Sequence, residues 1–190
     1  MTMKNDISAI GNALVDTVFK VEHSLITELG LEIDQMTLSS AEEHSPIIER
    51  LIASGAETLS DCGGSATNSL VAAASFGAKC FHTCKVSDDQ DGIRYLESIK
   101  KAGIGHKGNM ANASSHPSGK CLILVTPDAK RTMTTALNVS SLMDEDDLDF
   151  EQIANSKIFY IEGYMVTSDD NYNVTLKALD HLKNLSLIHI

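Results

Sequence analysis

The alternation of helix-like and strand-like segments after Cys62 constrains the fold of this 190-residue chain more than any other feature of its sequence. Residues 66–77 are typical of a small-residue helix, 78–86 of a strand, and 88–103 of a second helix closed by a glycine. Helix, strand and helix follow again over residues 144–184. Because strand–helix–strand crossovers produce this rhythm, the sequence predicts an α/β fold with a parallel sheet and helices outside it.

Four short strand-like segments interrupt this alternation. They cover residues 17–21, 35–39, 119–126 and 131–136, and the last two are joined by a tight turn. Such short strands do not continue a parallel α/β sheet, so they predict a separate antiparallel flap beside it.

The helix predicted over residues 40–55 has a clear start signal. Ser40 is a good N-cap, acidic residues fill the first turn, and Gly55 follows the last one. Pro46 lies inside this pattern, so the helix is expected to begin or kink there.

Charge and cysteine content limit the possible partners. The net charge of −11 argues against nucleic acid and anionic membranes. No segment approaches the roughly 18 apolar residues of a membrane helix, and the start of the chain lacks a signal-peptide pattern. The cysteines form no C-x-x-C pair, and Cys80 and Cys84 are expected on one face of a strand as packed, reduced thiols. These features predict a cytoplasmic protein.

The last six residues, LSLIHI at 185–190, follow a charged helix without a cap. They are also the translation of CTGTCTCTTATACACATC, the mosaic end of a common sequencing transposon. We therefore expect them to be a non-native tail and the chain to be the first part of a longer protein. The alternative is a genuine amphipathic terminus.

A dinucleotide-binding motif matches by letter only. GIGHKG, at 103–108, fits G-x-G-x-x-G, but that site needs the loop to lie between a strand and a helix N-terminus. Here the motif follows a helix and opens a polar loop, and Gly103 is more simply a helix C-cap. There is no P-loop sequence, and no glycine fingerprint of a nicotinamide oxidoreductase follows the first strand.

The stretch DCGGSATNSL, at 61–70, is a stronger candidate site. Its two glycines allow close approach to a ligand, and the helix start offers unpaired N–H donors. Asn68 adds a donor and an acceptor, which suits vicinal hydroxyls. The alternative is a plain glycine turn with an N-cap. Asp16, expected at a strand end in GNALVD, would supply the carboxylate that holds a sugar diol.

Several segments in order resemble the PfkB/ribokinase family of sugar and nucleoside kinases, and most of all its adenosine kinase branch. They are GNALVD, GGSATN, GAKCFHTCKVSDDQDG and DAKRTM, and the likeness extends over residues 5–184. It implies a ribokinase-like fold, a parallel-sheet sandwich with a small β lid. Residues 1–184 would then form the N-terminal part of a single domain of that fold.

The resemblance also implies a substrate site. Asp16 would hold the ribose 2′- and 3′-hydroxyls, and Gln35 and Thr37 would reach the substrate from one face of a lid strand. Met133 and Leu137 would wall the base, unless they are ordinary strand residues, and Tyr164 would stack near it, unless it is a core or rim tyrosine. The full substrate-binding set is Asn12, Asp16, Gln35, Thr37, Gly63, Gly64, Asn68, Met133, Leu137 and Tyr164.

The implied activity is transfer of a phosphoryl group from ATP, with Mg²⁺, to the 5′-hydroxyl of adenosine. Arg131 would neutralise the transferring phosphate, although a solvated turn residue is the alternative. The family's catalytic aspartate lies in a later G-A-G-D motif that this chain lacks, so the chain itself should be inactive and hold no catalytic or metal residue. Alternatives are a ribose or fructose kinase and a non-catalytic nucleoside-binding protein. Either a monomer or a lid-mediated homodimer is expected.

Overall fold

A computed structural model describes residues 5–108, 110–183 and 188–189, which form two larger sheets, a two-stranded sheet and surrounding helices. The strands are β1 Asn5–Ile10, β2 Leu14–Lys20, β3 Met36–Leu38, β4 Thr58–Gly63, β5 Cys80–Thr83, β6 Val86–Ser87, β7 Ile104–His106, β8 Met110–Ala111, β9 Gly119–Val125, β10 Arg131–Ala136, β11 Ser156–Ile161 and β12 Ile188–His189. The α-helices are α1 His23–Glu28, α2 Ala41–Ala53, α3 Ser65–Ser75, α4 Gln90–Lys101, α5 Phe150–Ala154 and α6 Asp169–Leu182. The 3₁₀ turns are Asn138–Ser141, Glu145–Asp147 and Gly163–Thr167.

The central sheet has the strand order β12-β11-β1-β5-β7, and all its described pairings are parallel. Ala9 and Ile10, neighbours in β1, lie in different cores because successive strand residues point to opposite faces. Ala9 packs with α3 and α4, and Ile10 packs with α5 and α6. Helices therefore cover both faces, which confirms the predicted α/β sandwich.

The second sheet is the lid, with the order β3-β10-β9-β2-β4. It is mixed and not purely antiparallel as predicted, because β2 pairs parallel with β9 and β3 pairs parallel with β10. Strand β4 was not predicted, because its polar residues and terminal glycine resemble a turn. Phe19, Leu122 and Leu124 on the outer face of the lid pack against α1 and α2.

Helix boundaries follow capping side chains more closely than they follow propensity. Glu43 N–H donates to Ser40 Oγ at 3.2 Å and the Glu43 carboxylate accepts from Ser40 N–H at 2.7 Å, so α2 starts at its cap and runs through Pro46. The single helix predicted over 144–156 is instead a 3₁₀ turn followed by α5. Asp144 caps the first and Asp149 the second, so the acidic run starts two elements.

The glycine motif at 103–108 does not open a helix; it contains β7, where a loop was expected. Cys84 follows the end of β5, so it does not share a strand face with Cys80, and all four cysteines are free.

In the tail, 185–187 and 190 lie outside the described residues, while β12 pairs with β11. Among the helices of the described ranges, none combines the length and the apolar character needed to cross a bilayer.

Candidate substrate-binding cavity

A cavity of about 210 Å³ lies between the inner face of the lid and the start of α3. Its position follows from the β1–β2 connection, which takes the chain from the central sheet directly into the lid. Polar groups line one part: Asn12, Asp16, Ser65, Asn68, Arg131 and Glu162. Lid side chains form an apolar wall opposite, and they are Leu14, Met36, Leu38, Ile123, Met133 and Leu137.

Most residues singled out from the sequence meet at this cavity. Those that line it are Asn12, Asp16, Gly64, Asn68, Arg131, Met133, Leu137 and Tyr164. Gly63 lies directly behind Asp16, because a Cβ at that position would be 2.1 Å from Asp16 Cγ. The structure thus brings together segments that are up to about 150 residues apart in sequence.

The predicted face of β3 is wrong. Met36 and Leu38 line the cavity, whereas Gln35 and Thr37 are exposed outside its lining. The reason is register: Met36 pairs with Met133 of β10, and residues opposite each other in a sheet share a face. A shift of one residue exchanges the two faces of a strand.

Asp16 lies within β2 and not at a strand end as predicted. It pairs with Cys121 of β9, which also lines the cavity. Burial raises the pKa of the Asp16 carboxyl to about 6, and the positive charge of Arg131 partly opposes this rise. Within the described residues, no group donates a hydrogen bond to its carboxylate. Asp16 is therefore a half-buried acceptor with free capacity for ligand hydroxyls.

The glycine pair shapes the start of α3. Gly64 has φ of +98°, and a Cβ there would be 2.4 Å from the carbonyl oxygen of Asn12. Residues 63–68 at the start of α3 therefore pass close to residues 11–13 of the β1–β2 connection without an intervening side chain, and these two segments together are called the cradle below. Asn68 lies one turn into the helix, with its side chain exposed toward the cavity.

Glu162 and Asn171 are buried residues of this region that the sequence did not predict as part of the site. Glu162 directly follows β11 and is only 2% exposed. Its Oε1 accepts from Asn12 N–H at 2.7 Å and from Asn12 Nδ2 at 2.9 Å, while Asn171 Nδ2 donates to Asn12 Oδ1 at 2.9 Å. The sequence does show that Glu162 is a carboxylate next to a buried strand. It does not show that its partner is Asn12, 150 positions earlier.

Cys121 lines the cavity and contributes an uncharged, weakly polar thiol to its apolar wall. Its thiol is buried and accepts a hydrogen bond from Thr135 Oγ1 at 3.2 Å. Burial raises the pKa of Cys121 to about 11, so the thiol is neutral at physiological pH and acts as a small hydrophobic group.

Comparison with known proteins identifies the family. Residues 33–188 match the profile described as pfkB family carbohydrate kinase. The chain belongs to the PfkB family. It is 25% identical over 124 residues to a 5-dehydro-2-deoxygluconokinase of Bacillus subtilis and 30% identical over 123 residues to one of Clostridium perfringens. These matches cover 64% and 62% of this chain but 38% and 35% of those proteins.

Solved structures of this family have the same fold. The adenosine kinase of Sinorhizobium meliloti is 27% identical, with a TM-score of 0.89 over 98% of this chain and 55% of that one. A probable sugar kinase of Rhizobium etli matches at a TM-score of 0.90 and 24% identity over 100% of this chain and 56% of that one. The fold is therefore ribokinase-like, and the chain spans about 55% of these relatives.

PfkB kinases use ATP with Mg²⁺, and one residue of the cavity fits a phosphate. Arg131 is exposed at the cavity, and its guanidinium forms no ion pair with any described residue. A planar, permanently charged guanidinium suits phosphate oxygens. By contrast, no cluster of three or more His, Cys, Asp or Glu side chains within the described ranges is arranged to hold a metal ion.

Proposed function

We propose that the whole protein transfers the γ-phosphoryl group of Mg-ATP to the 5′-hydroxyl of adenosine. One observation supports this most: the unpaired Asp16 carboxylate faces the same cavity as an apolar wall built from lid strands. A nucleoside has that pairing of properties, since its ribose offers two adjacent hydroxyls and its base offers a flat, weakly polar face.

In this proposal Asp16 accepts hydrogen bonds from the ribose 2′- and 3′-hydroxyls. A charged acceptor forms stronger hydrogen bonds than a neutral one, and its partial burial strengthens them further. Asn68, at the start of α3, can both donate to and accept from the sugar. The sugar would therefore sit at the cradle and orient its 5′-hydroxyl toward Arg131.

The lid would cover the base. Met36 and Met133 present flexible thioethers, which make favourable contacts with aromatic faces. Tyr164 lies at the rim in a 3₁₀ turn and is 50% exposed, so its ring is free to stack on a ligand. A bare sugar would leave this wall without a partner.

Bound Mg-ATP would supply the phosphoryl group and screen its charge. From the described residues, Arg131 would add a fixed positive charge beside the transferring group and so stabilise the transition state. The catalytic aspartate is expected in a G-A-G-D motif encoded beyond residue 184.

A sugar-acid kinase is the second candidate, because the curated relatives are named 5-dehydro-2-deoxygluconokinases. Such a substrate would bring its own carboxylate into a cavity already lined by Asp16 and Glu162, with Arg131 as the cation among the lining residues. The charge and the apolar wall favour a neutral nucleoside over a sugar acid. A non-catalytic nucleoside-binding protein is the remaining alternative.

Calorimetric titration of this chain with adenosine, ribose and 5-dehydro-2-deoxygluconate distinguishes these candidates. We expect adenosine to bind most tightly and D16N to weaken it at least about tenfold, the value of a hydrogen bond to a charged group. The matched control is D128N, an exposed carboxylate in the lid turn outside the cavity lining, which should leave the affinity within about twofold. Tighter binding of the sugar acid would favour the second candidate.

Reading the gene beyond codon 184 tests the catalytic part of the proposal. We expect an open frame that continues to a G-A-G-D motif, and ATP-dependent formation of AMP by the protein it encodes. An adenosine-binding protein without that motif and without turnover would be the non-catalytic alternative.

A further inference from the structure

The Glu162 carboxylate joins two separate segments of the cradle. Besides the two hydrogen bonds that Oε1 accepts from Asn12, Oε2 accepts from Ser65 Oγ at 2.8 Å and from Ala66 N–H at 2.9 Å. One oxygen thus holds the β1–β2 connection, and the other holds the first turn of α3. Ser65 and Ala66 lie directly after the glycine pair.

The charge of Glu162 is balanced by these donors and not by a cation. No Lys, Arg or His of the described residues forms an ion pair with it, although it is 2% exposed. A buried carboxylate is tolerated when several donors solvate it, and a helix start adds N–H groups with partial positive charge. The four donors at Asn12, Ser65 and Ala66 meet that requirement.

The backbone of Gly11 packs directly against this carboxylate and leaves no room for a side chain. A Cβ on Gly11 would lie 2.7 Å from Glu162 Oε2 and 2.5 Å from Ala66 Cβ. On the far side of Asn12, the fully buried Asn171 of α6 donates to Asn12 Oδ1 and to the carbonyl of Ser140. Asn12 is therefore held on both sides of its amide.

We propose that Glu162 is a positioning residue for the substrate cradle, an inference that rests on the proposed function. Both of its oxygens are already engaged by protein donors, so it acts through Asn12 and the α3 start and not by holding the ligand. It fixes the spacing between Asn12 on one side and Gly64 and Asn68 on the other. It also occupies the Ala66 N–H of the α3 start, which closes that donor to an anionic group of a ligand.

Two variants distinguish the effect of the length of the Glu162 side chain from the effect of its charge. E162Q keeps the shape but replaces one acceptor oxygen with a donor that faces other donors. E162D keeps the charge, but its shorter side chain reaches either Asn12 or the α3 start and not both. The matched control is D147N, which removes another buried carboxylate, one that pairs with Lys85 outside the cavity lining.

Adenosine affinity is measured by calorimetry on all four proteins, with unfolding by urea recorded in parallel. We expect both Glu162 variants to bind adenosine at least tenfold more weakly than the unmutated chain, and D147N to bind within twofold of it. Equal affinity in the folded E162D variant would overturn the proposal, because its charge is kept and only the spacing is lost. If E162Q does not fold, E162D alone decides.

A failure of the proposed function gives a different result. In that case the unmutated chain binds no adenosine, and hydrogen exchange of the Ala66 amide becomes the deciding measurement. Faster exchange in E162D than in D147N would still support the positioning role, and equal exchange would overturn it.

Discussion

The buried carboxyl of Asp16 lowers the stability of the ligand-free protein at neutral pH. Burial raises the pKa of its carboxyl to about 6, from an ordinary value of 3.8. Between these values the native state keeps a proton that the unfolded state has lost. The stability contributed by this group is therefore present below about pH 3.8 and is lost as the pH rises through about 6.

At the residue scale, we predict that D16N raises the free energy of unfolding at pH 8 by about 1 kcal/mol, after discounting for the partial exposure of the side chain. The gain should be smaller at pH 5.5, where much of the native carboxyl is protonated. Urea denaturation at the two pH values measures it, and a gain independent of pH would contradict the assigned cause. The same variant should bind adenosine more weakly, so stability and binding would change in opposite directions.

The lid strand β3 is an element whose apolar side chains have no protein partner over much of their surface. Leu38 is 50% exposed and Met36 is 38% exposed, yet both line the cavity. Exposed apolar side chains around a cavity are typical of a ligand-binding surface. Thr37, the middle residue of the strand, is exposed outside the cavity lining.

At the element scale, we predict that L38A weakens adenosine binding about threefold to tenfold, because burial of part of a leucine side chain is worth about 1 kcal/mol. T37A, on the opposite face of the same strand, is the control and should bind within about twofold of the unmutated chain. Calorimetric titration compares them. A larger loss in T37A would restore the face first expected from the sequence.

A buried chain of hydrogen bonds joins two helices to a strand of the central sheet, on the face that α3 and α4 cover. Thr67 of α3 bonds the Tyr95 hydroxyl at 2.7 Å, and that hydroxyl lies 3.1 Å from His82 Nδ1 of β5. Burial lowers the pKa of His82 to about 3. Below about pH 6.5 the unfolded state therefore binds a proton at His82 that the native state does not bind. Folding stability falls for this reason as the pH decreases from about 6.5 to 3.

At the molecular scale, we predict that H82N flattens the pH dependence of unfolding, because asparagine can keep the Tyr95 hydrogen bond but does not titrate. Between pH 5 and 6 the slope should fall by about 1 kcal/mol per pH unit, since one proton corresponds to about 1.4. Urea denaturation across pH 5 to 8 tests this. The curves of the two proteins should run parallel above pH 7, and an unchanged slope below pH 6 would contradict the role of His82.

Local signals in the sequence were sufficient for the main elements. The alternation after Cys62 predicted the parallel sheet, and the cap at Ser40 marked the start of α2. Motif order predicted the PfkB family, and Asp16, Gly64 and Asn68 do meet at one cavity. The elements depend on neighbouring residues and on periodicity, which a single sequence contains, whereas the family and the site residues came from the resemblance of the motifs.

Only the tertiary structure decided the rest. The cavity face of β3 follows from the pairing of Met36 with Met133, and strand β4 exists because β2 offers it a partner. Glu162 meets Asn12 and Ala66 from 150 and 96 positions away. The sequence by itself thus determined most of the helices and strands, because hydrophobic periodicity and capping act over a few residues, and the order of its motifs indicated the family by resemblance. Register and the partners of a buried charge were set by folding, because they depend on contacts between segments that the chain keeps far apart.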